Sequence, residues 1–211
     1  MDSGIFGGFR KKVGKVSGSF FRGLNVVKTL PKPSKKQPTQ PQIDHRTKFG
    51  LVTGTLSYLA ELIDSGYQPI SPVNSPMNEA VAYHMKNAVI GVAPNFKLDY
   101  TKLRFSTGKL SNPATCTVDT TALGTVDFNW SLEPNSKYRD ASDVINVLVY
   151  NPIKDRFVTV VAAAPRSAKT FVLQCPPDFK GDEVYCYFSF TSTTKKNVHS
   201  KSVFVFLIPI A

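Results

Sequence analysis

The side chains best equipped for chemistry are cations and aromatics near the start of the chain. Arg10, Lys11, Lys12 and Lys15 form one basic cluster, Lys32, Lys35 and Lys36 a second, and Arg22 and Lys28 lie between them. Such groups neutralise phosphates, release counterions and bind in a salt-dependent way. Phe6, Phe9, Phe20 and Phe21 interleave with the charges. Rings in that setting either stack on bases or anchor a segment to a protein surface. The first 48 residues hold eleven Lys and Arg against two acids, which is +9 of the chain's net +11. A nearly neutral body therefore carries a cationic arm. That asymmetry points to a polyanionic partner or to assembly rather than to catalysis.

Spacings that support catalysis or metal binding are missing. His45, His84 and His199 are scattered and form neither HxxxH nor HExxH, so each reads as an ordinary surface or half-buried histidine. No cysteine lies near a histidine that could serve as its base. Three cysteines, Cys116, Cys175 and Cys186, cannot make a complete disulfide framework. They read as reduced, apolar strand residues, with a Cys175–Cys186 bridge between neighbouring strands as the open alternative. No GxSxG, GxxxxGK[ST] or strand-to-helix GxGxxG occurs. The acidic loop 178–183 lacks the ligand alternation of a calcium-binding loop. The expectation is a protein that is not an enzyme, with no catalytic residue, no metal site and no cofactor.

The elements that must position the arm follow from the patterning. Residues 15–21 and 24–30 are short β-prone runs joined by Arg22-Gly23, which predicts a hairpin. Pro31, Pro33 and Pro38 make the next stretch an extended linker. A helix is expected from near Pro41, with Thr39 and Gln42 as a capping box, apolar residues Phe49, Val52, Leu56, Leu59, Ala60 and Ile63 on one face, and Gly66 as its stop. Ser75 caps a second helix with Pro76 in its first turn, a stripe of Met77, Val81, Met85, Ala88 and Val89, and Gly91 at its close.

From Phe96 the period changes to two. Strands are expected over 97–106, 115–119, 126–131, 144–150, 157–163, 170–175, 184–190 and 202–208. The fold class is α+β. A basic arm with a β-hairpin and Pro-rich linker (1–38) precedes a helical hairpin (39–95), then an antiparallel Ig-like or fibronectin-type β-sandwich (96–211). The last run, 203–208, is apolar on both faces, so it is expected to be central or covered. No apolar run reaches the ~20 residues of a membrane span. The N-terminus also lacks a signal-peptide core. The expected location is a virion or the cytoplasm.

Several segments together carry a resemblance. They are Gly7-Gly8-Phe9, Lys12-Val13-Gly14-Lys15-Val16-Ser17-Gly18, Arg22-Gly23, Val26-Val27-Lys28-Thr29-Leu30-Pro31, Pro38-Thr39 leading to Gln42, Arg46 and Lys48-Phe49, and later Asn87-Ala88-Val89 and Ala164-Pro165-Arg166-Ser167-Ala168. In these the chain resembles an uncharacterised Bacteroidota family, domain of unknown function 6266. The resemblance implies a bacterial or phage source and no particular activity.

The leading functional expectation is a self-assembling structural protein, a capsid, tail or filament subunit, whose arm docks on neighbouring copies. The alternative is a DNA- or RNA-binding protein whose arm grips phosphates. A glycan-binding sandwich comes third and an enzyme last.

Overall fold

The computed structural model describes residues 8–21, 23–32, 36–68 and 74–210. The chain divides into two compact units, Met1–Ile43 and Asp44–Ala211.

In the first unit, β1 (Lys11–Val13), β2 (Val16–Phe21) and β3 (Leu24–Thr29) form an antiparallel sheet in that order. The expected hairpin is β2–β3, paired from Val16 with Thr29 to Phe21 with Leu24. Gly23, at φ 86°, supplies the left-handed backbone of its turn. Strand β1 was not expected, because two lysines and one valine carry no alternation to read. At the end of this unit the Thr39 N–H donates to Gln42 Oε1 at 3.0 Å, one half of the expected capping box.

Helix α1 (Gln40–Ser57) begins there. The single long helix expected to reach Gly66 is instead two, with α2 spanning Ala60–Gly66. The reason lies in the last turns of α1. Thr53, Thr55 and Ser57 each donate a hydroxyl hydrogen bond back to a carbonyl three or four residues earlier, which competes with the helical ladder. Helix α3 (Pro76–Asn87) starts as expected, with Ser75 Oγ accepting from the Asn78 N–H. It ends before Gly91. That glycine, at φ 90°, instead lies in the hairpin of β4 (Val89–Val92) and β5 (Asn95–Leu98). The strand expected over 97–106 is thus limited to β5 and followed by a 3-10 turn, Tyr100–Lys102.

The seven remaining strands fall close to their expected positions. They are β6 (Cys116–Asp119), β7 (Thr125–Trp130), β8 (Val144–Asn151), β9 (Arg156–Pro165), β10 (Thr170–Gln174), β11 (Glu183–Thr191) and β12 (Val203–Pro209). They form two antiparallel sheets, β10-β7-β6 and β12-β11-β8-β9. The fold is therefore mixed α and β, built on antiparallel sheets.

Two cores explain why β8 is buried along almost its whole length. Ile145, Val147 and Val149 point one way, into a core shared with Val126, Phe128 and Trp130 of β7 and with Val184, Cys186, Phe188 and Phe190 of β11. Leu148 and Tyr150 point the other way. They pack with Tyr187 against Val52 and Leu56 of α1, Ile63 of α2 and Ala80 of α3. The helices cover one face of the four-stranded sheet, and the three-stranded sheet covers the other. Residues 44–95 and 96–211 thus build one compact unit.

All three cysteines are free thiols. Burial raises Cys116 to about 12 and Cys175 to about 11, and it raises Cys186 as well. Strand β12 departs from expectation: it lies at the edge of its sheet, with Phe206 61% exposed.

Candidate functional site: the basic arm, and a cleft in the body

The register of the arm sheet sorts its side chains, because residues directly opposite each other share a face. Lys11, Gly18 and Val27 lie in one row across the three strands. Phe20 shares their face. Phe9 crosses that face at Gly18, where an added methyl group would overlap the Phe9 carbonyl oxygen. Arg10 sets its guanidinium carbon 5.4 Å from the Phe20 ring centroid. On the opposite face Lys12, Ser17 and Lys28 form a row, with Phe21 and Leu24 further along at the hairpin tip.

The arm therefore presents cations and large apolar groups on both faces. Phe21 is 61% and Leu24 68% exposed; Val13, Phe20 and Val27 are exposed by half or more. Among the described residues, no carboxylate pairs with Lys11, Lys12, Lys15, Lys28 or Lys32. Lys36 is exposed and lies past the hairpin. Phe6, Arg22 and Lys35 fall outside the described residues. Of the expected site residues, the structure thus brings Phe9, Arg10, Lys11, Lys12, Phe20, Phe21 and Lys28 onto one small sheet. Lys15 sits in the β1–β2 turn, and Lys32 follows the last strand.

A second feature was not legible in the sequence. A cleft of about 810 Å³ opens in the body, lined in part by Tyr67, Glu79, Tyr83, Arg104, Lys109 and His199. The main chain of its lining residue Arg104 is held by His84, which is fully buried rather than a surface or half-buried histidine. The Arg104 N–H donates to His84 Nε2 at 3.0 Å, so Nδ1 carries the ring proton and donates to the Ala80 carbonyl at 2.7 Å. The Arg104 carbonyl accepts from the Tyr67 hydroxyl at 3.1 Å. The guanidinium carbon of Arg104 stands 3.8 Å from the Tyr83 ring centroid. These residues share no motif spacing; only the packing of α2 and α3 against the segment after Leu103 assembles them. Among the described residues, no group of three or more His, Cys, Asp or Glu side chains is placed to hold a metal ion.

Burial lowers the pKa of His84, opposed by its bond to the Ala80 carbonyl and assisted by the Arg104 charge. Burial lowers His199 as well. Both rings are neutral in the folded chain near neutrality. As pH falls below about 6.5 the unfolded chain binds protons that these buried rings refuse, so stability falls with pH. The urea midpoint is expected to drop between about pH 7 and about pH 5, and to drop less in His84→Gln. An equal drop in both proteins would contradict this role for His84.

No helix among the described residues is long and apolar enough to cross a membrane. A family model described as a family of unknown function, DUF6266, matches residues 8–205, and the chain belongs to that family. No curated protein matches it.

Proposed function

We propose that this member of a family of unknown function is a non-enzymatic structural protein that self-assembles by docking its basic arm on neighbouring copies. One observation carries the reading. The arm is a three-stranded sheet that leaves Phe20, Phe21, Leu24 and Val27 exposed, and a sheet of that size has no core in which to bury them. Strand β12 offers the complementary surface. It is an apolar strand left at a sheet edge with Phe206 outward, the kind of edge that proteins cover or pair. Addition of the arm's edge strand β3 from a second copy to β12 pairs the two open backbone edges and brings the arm's apolar side chains alongside Phe206. Such a head-to-tail contact either closes into a ring or continues as a filament. A virion, tail or filament subunit is the setting in which we place it, with a Bacteroidota or phage source.

The body is read as a fibronectin-type or Ig-like sandwich. Its strand order supports this: the first, second and fifth strands form one sheet and the third, fourth, sixth and seventh the other. The non-enzymatic reading is supported by thiols whose pKa values burial has raised out of the nucleophile range.

Charge placed at the contact tests the docking. Phe21→Asp with Leu24→Asp on the arm, and separately Phe206→Lys on the edge strand, are each expected to weaken association about tenfold or more. Measured at a dilution where the chains are monomeric, the unfolding midpoint should change little, since all three side chains are exposed. Association indifferent to both variants would remove the reading.

A second reading rests on the row of Lys12 and Lys28 across Ser17 beside exposed Phe21. This arrangement suits phosphates flanked by a stacked base. If the arm grips nucleic acid, single-stranded oligonucleotide affinity falls steeply with salt, and Lys12→Ala with Lys28→Ala flattens the salt dependence by about two phosphate contacts. Affinity that ignores salt excludes it.

A further inference from the structure

The geometry points to a binding site for a small organic carboxylate in the body cleft, centred on Arg104 and independent of how the chain assembles. Three residues fix Arg104. His84 accepts its main-chain N–H and Tyr67 donates to its carbonyl, at 3.0 and 3.1 Å, while Tyr83 stacks against its guanidinium at 3.8 Å. The first two contacts fix the main chain from which the side chain springs, and the Tyr83 ring holds the guanidinium plane, leaving its edge donors as a fork that can take a carboxylate through two parallel hydrogen bonds. No carboxylate of the described residues occupies that fork. Among the described residues none lies within ion-pairing distance of Arg104, and residues 69–73 contain no acid.

The surroundings favour an anion carried on an apolar body. Lys109 adds a second cation to the same cleft, and Val198 and Tyr83 contribute apolar wall. The only acid lining it among the described residues is Glu79, which already accepts a hydrogen bond from the Asn74 side-chain amide at 2.6 Å. The cleft volume of about 810 Å³ lies in the range that encloses small ligands. Gly108 helps set its shape. A methyl group there would overlap the His199 carbonyl oxygen, so the backbone of this wall passes closer than any other residue type permits.

Saturation-transfer NMR on the full chain, with benzoate as probe and benzamide as its uncharged counterpart, tests the assignment. Benzoate is expected to bind saturably and benzamide at least about tenfold more weakly. Arg104→Gln should weaken benzoate about tenfold. Lys109→Gln, at an exposed position that leaves the fold untouched, should weaken it about threefold. Equal binding of the two probes, no saturable benzoate signal, or benzoate affinity unchanged in both variants overturns the proposal.

Discussion

Replacing Asp143 by Ala is expected to cost about 3–5 kcal/mol of stability, because it strands a fully buried guanidinium. Arg166 and Asp143 are both 0% exposed, with Arg166 Nε 3.5 Å from Asp143 Oδ2. Burial lowers the Arg166 pKa and the Asp143 charge opposes that shift. The guanidinium lies 3.9 Å from the Phe190 ring centroid, and its Nη2 donates to the Ser111 carbonyl at 2.8 Å. Its own carbonyl accepts from the Trp130 indole N–H at 2.8 Å. Asp143 also caps its loop, accepting the Asp140 N–H at 2.8 Å. Loss of the carboxylate removes the cap and leaves the cation in an apolar site. Replacing both, Asp143→Ala with Arg166→Met, removes the stranded charge and should recover most of the loss. Urea unfolding of the three proteins decides the matter. The exposed pair Arg156–Asp178 supplies the contrast, since breaking it should cost less than about 1 kcal/mol. A cost below 1 kcal/mol for Asp143→Ala as well would mean that the site hydrates freely.

Leu148→Ala is expected to cost about 2–5 kcal/mol. In a two-sheet sandwich with open outer faces this position would be close to neutral, because Leu148 points away from the core that holds Val147 and Val149. Here its face is covered by α1, α2 and α3, and Leu148 is fully buried in the second core. Val172 on β10 gives the control. It is 55% exposed on the face of β10 turned away from the core, so Val172→Ala should stay within about 0.5 kcal/mol. Similar small costs at both positions would contradict a helical layer packed on β8.

The strands of the body were legible because alternation is a local signal. Val126, Phe128 and Trp130 all reach the core that their spacing implied. The helix starts were legible for the same reason: Thr39 with Gln42 and Ser75 with Asn78 act across three residues, and Pro76 acts through its own fixed φ. What could not be read depends on contacts between distant segments. Continuous burial along β8 needs helices that lie about 80 residues earlier in the chain. The doubly apolar pattern of β12 suggested a central strand, yet the strand order leaves it at the edge. Its apolar groups divide between the two cores, with Phe204 in one and Val203, Val205 and Ile208 at the other. The arm's composition was plain from the sequence, whereas its division into two mixed faces required the register. Arg104 gave no sequence signal at all, because its partners His84, Tyr67 and Tyr83 are recruited by packing.

The central claim is that residues 1–38 join one copy to the next. Light-scattering mass in solution, for the full chain and for a chain beginning at Thr39, tests it most directly. The account predicts a multiple of 23.2 kDa for the full chain and a monomer for the shortened one. Monomers in both cases would contradict it.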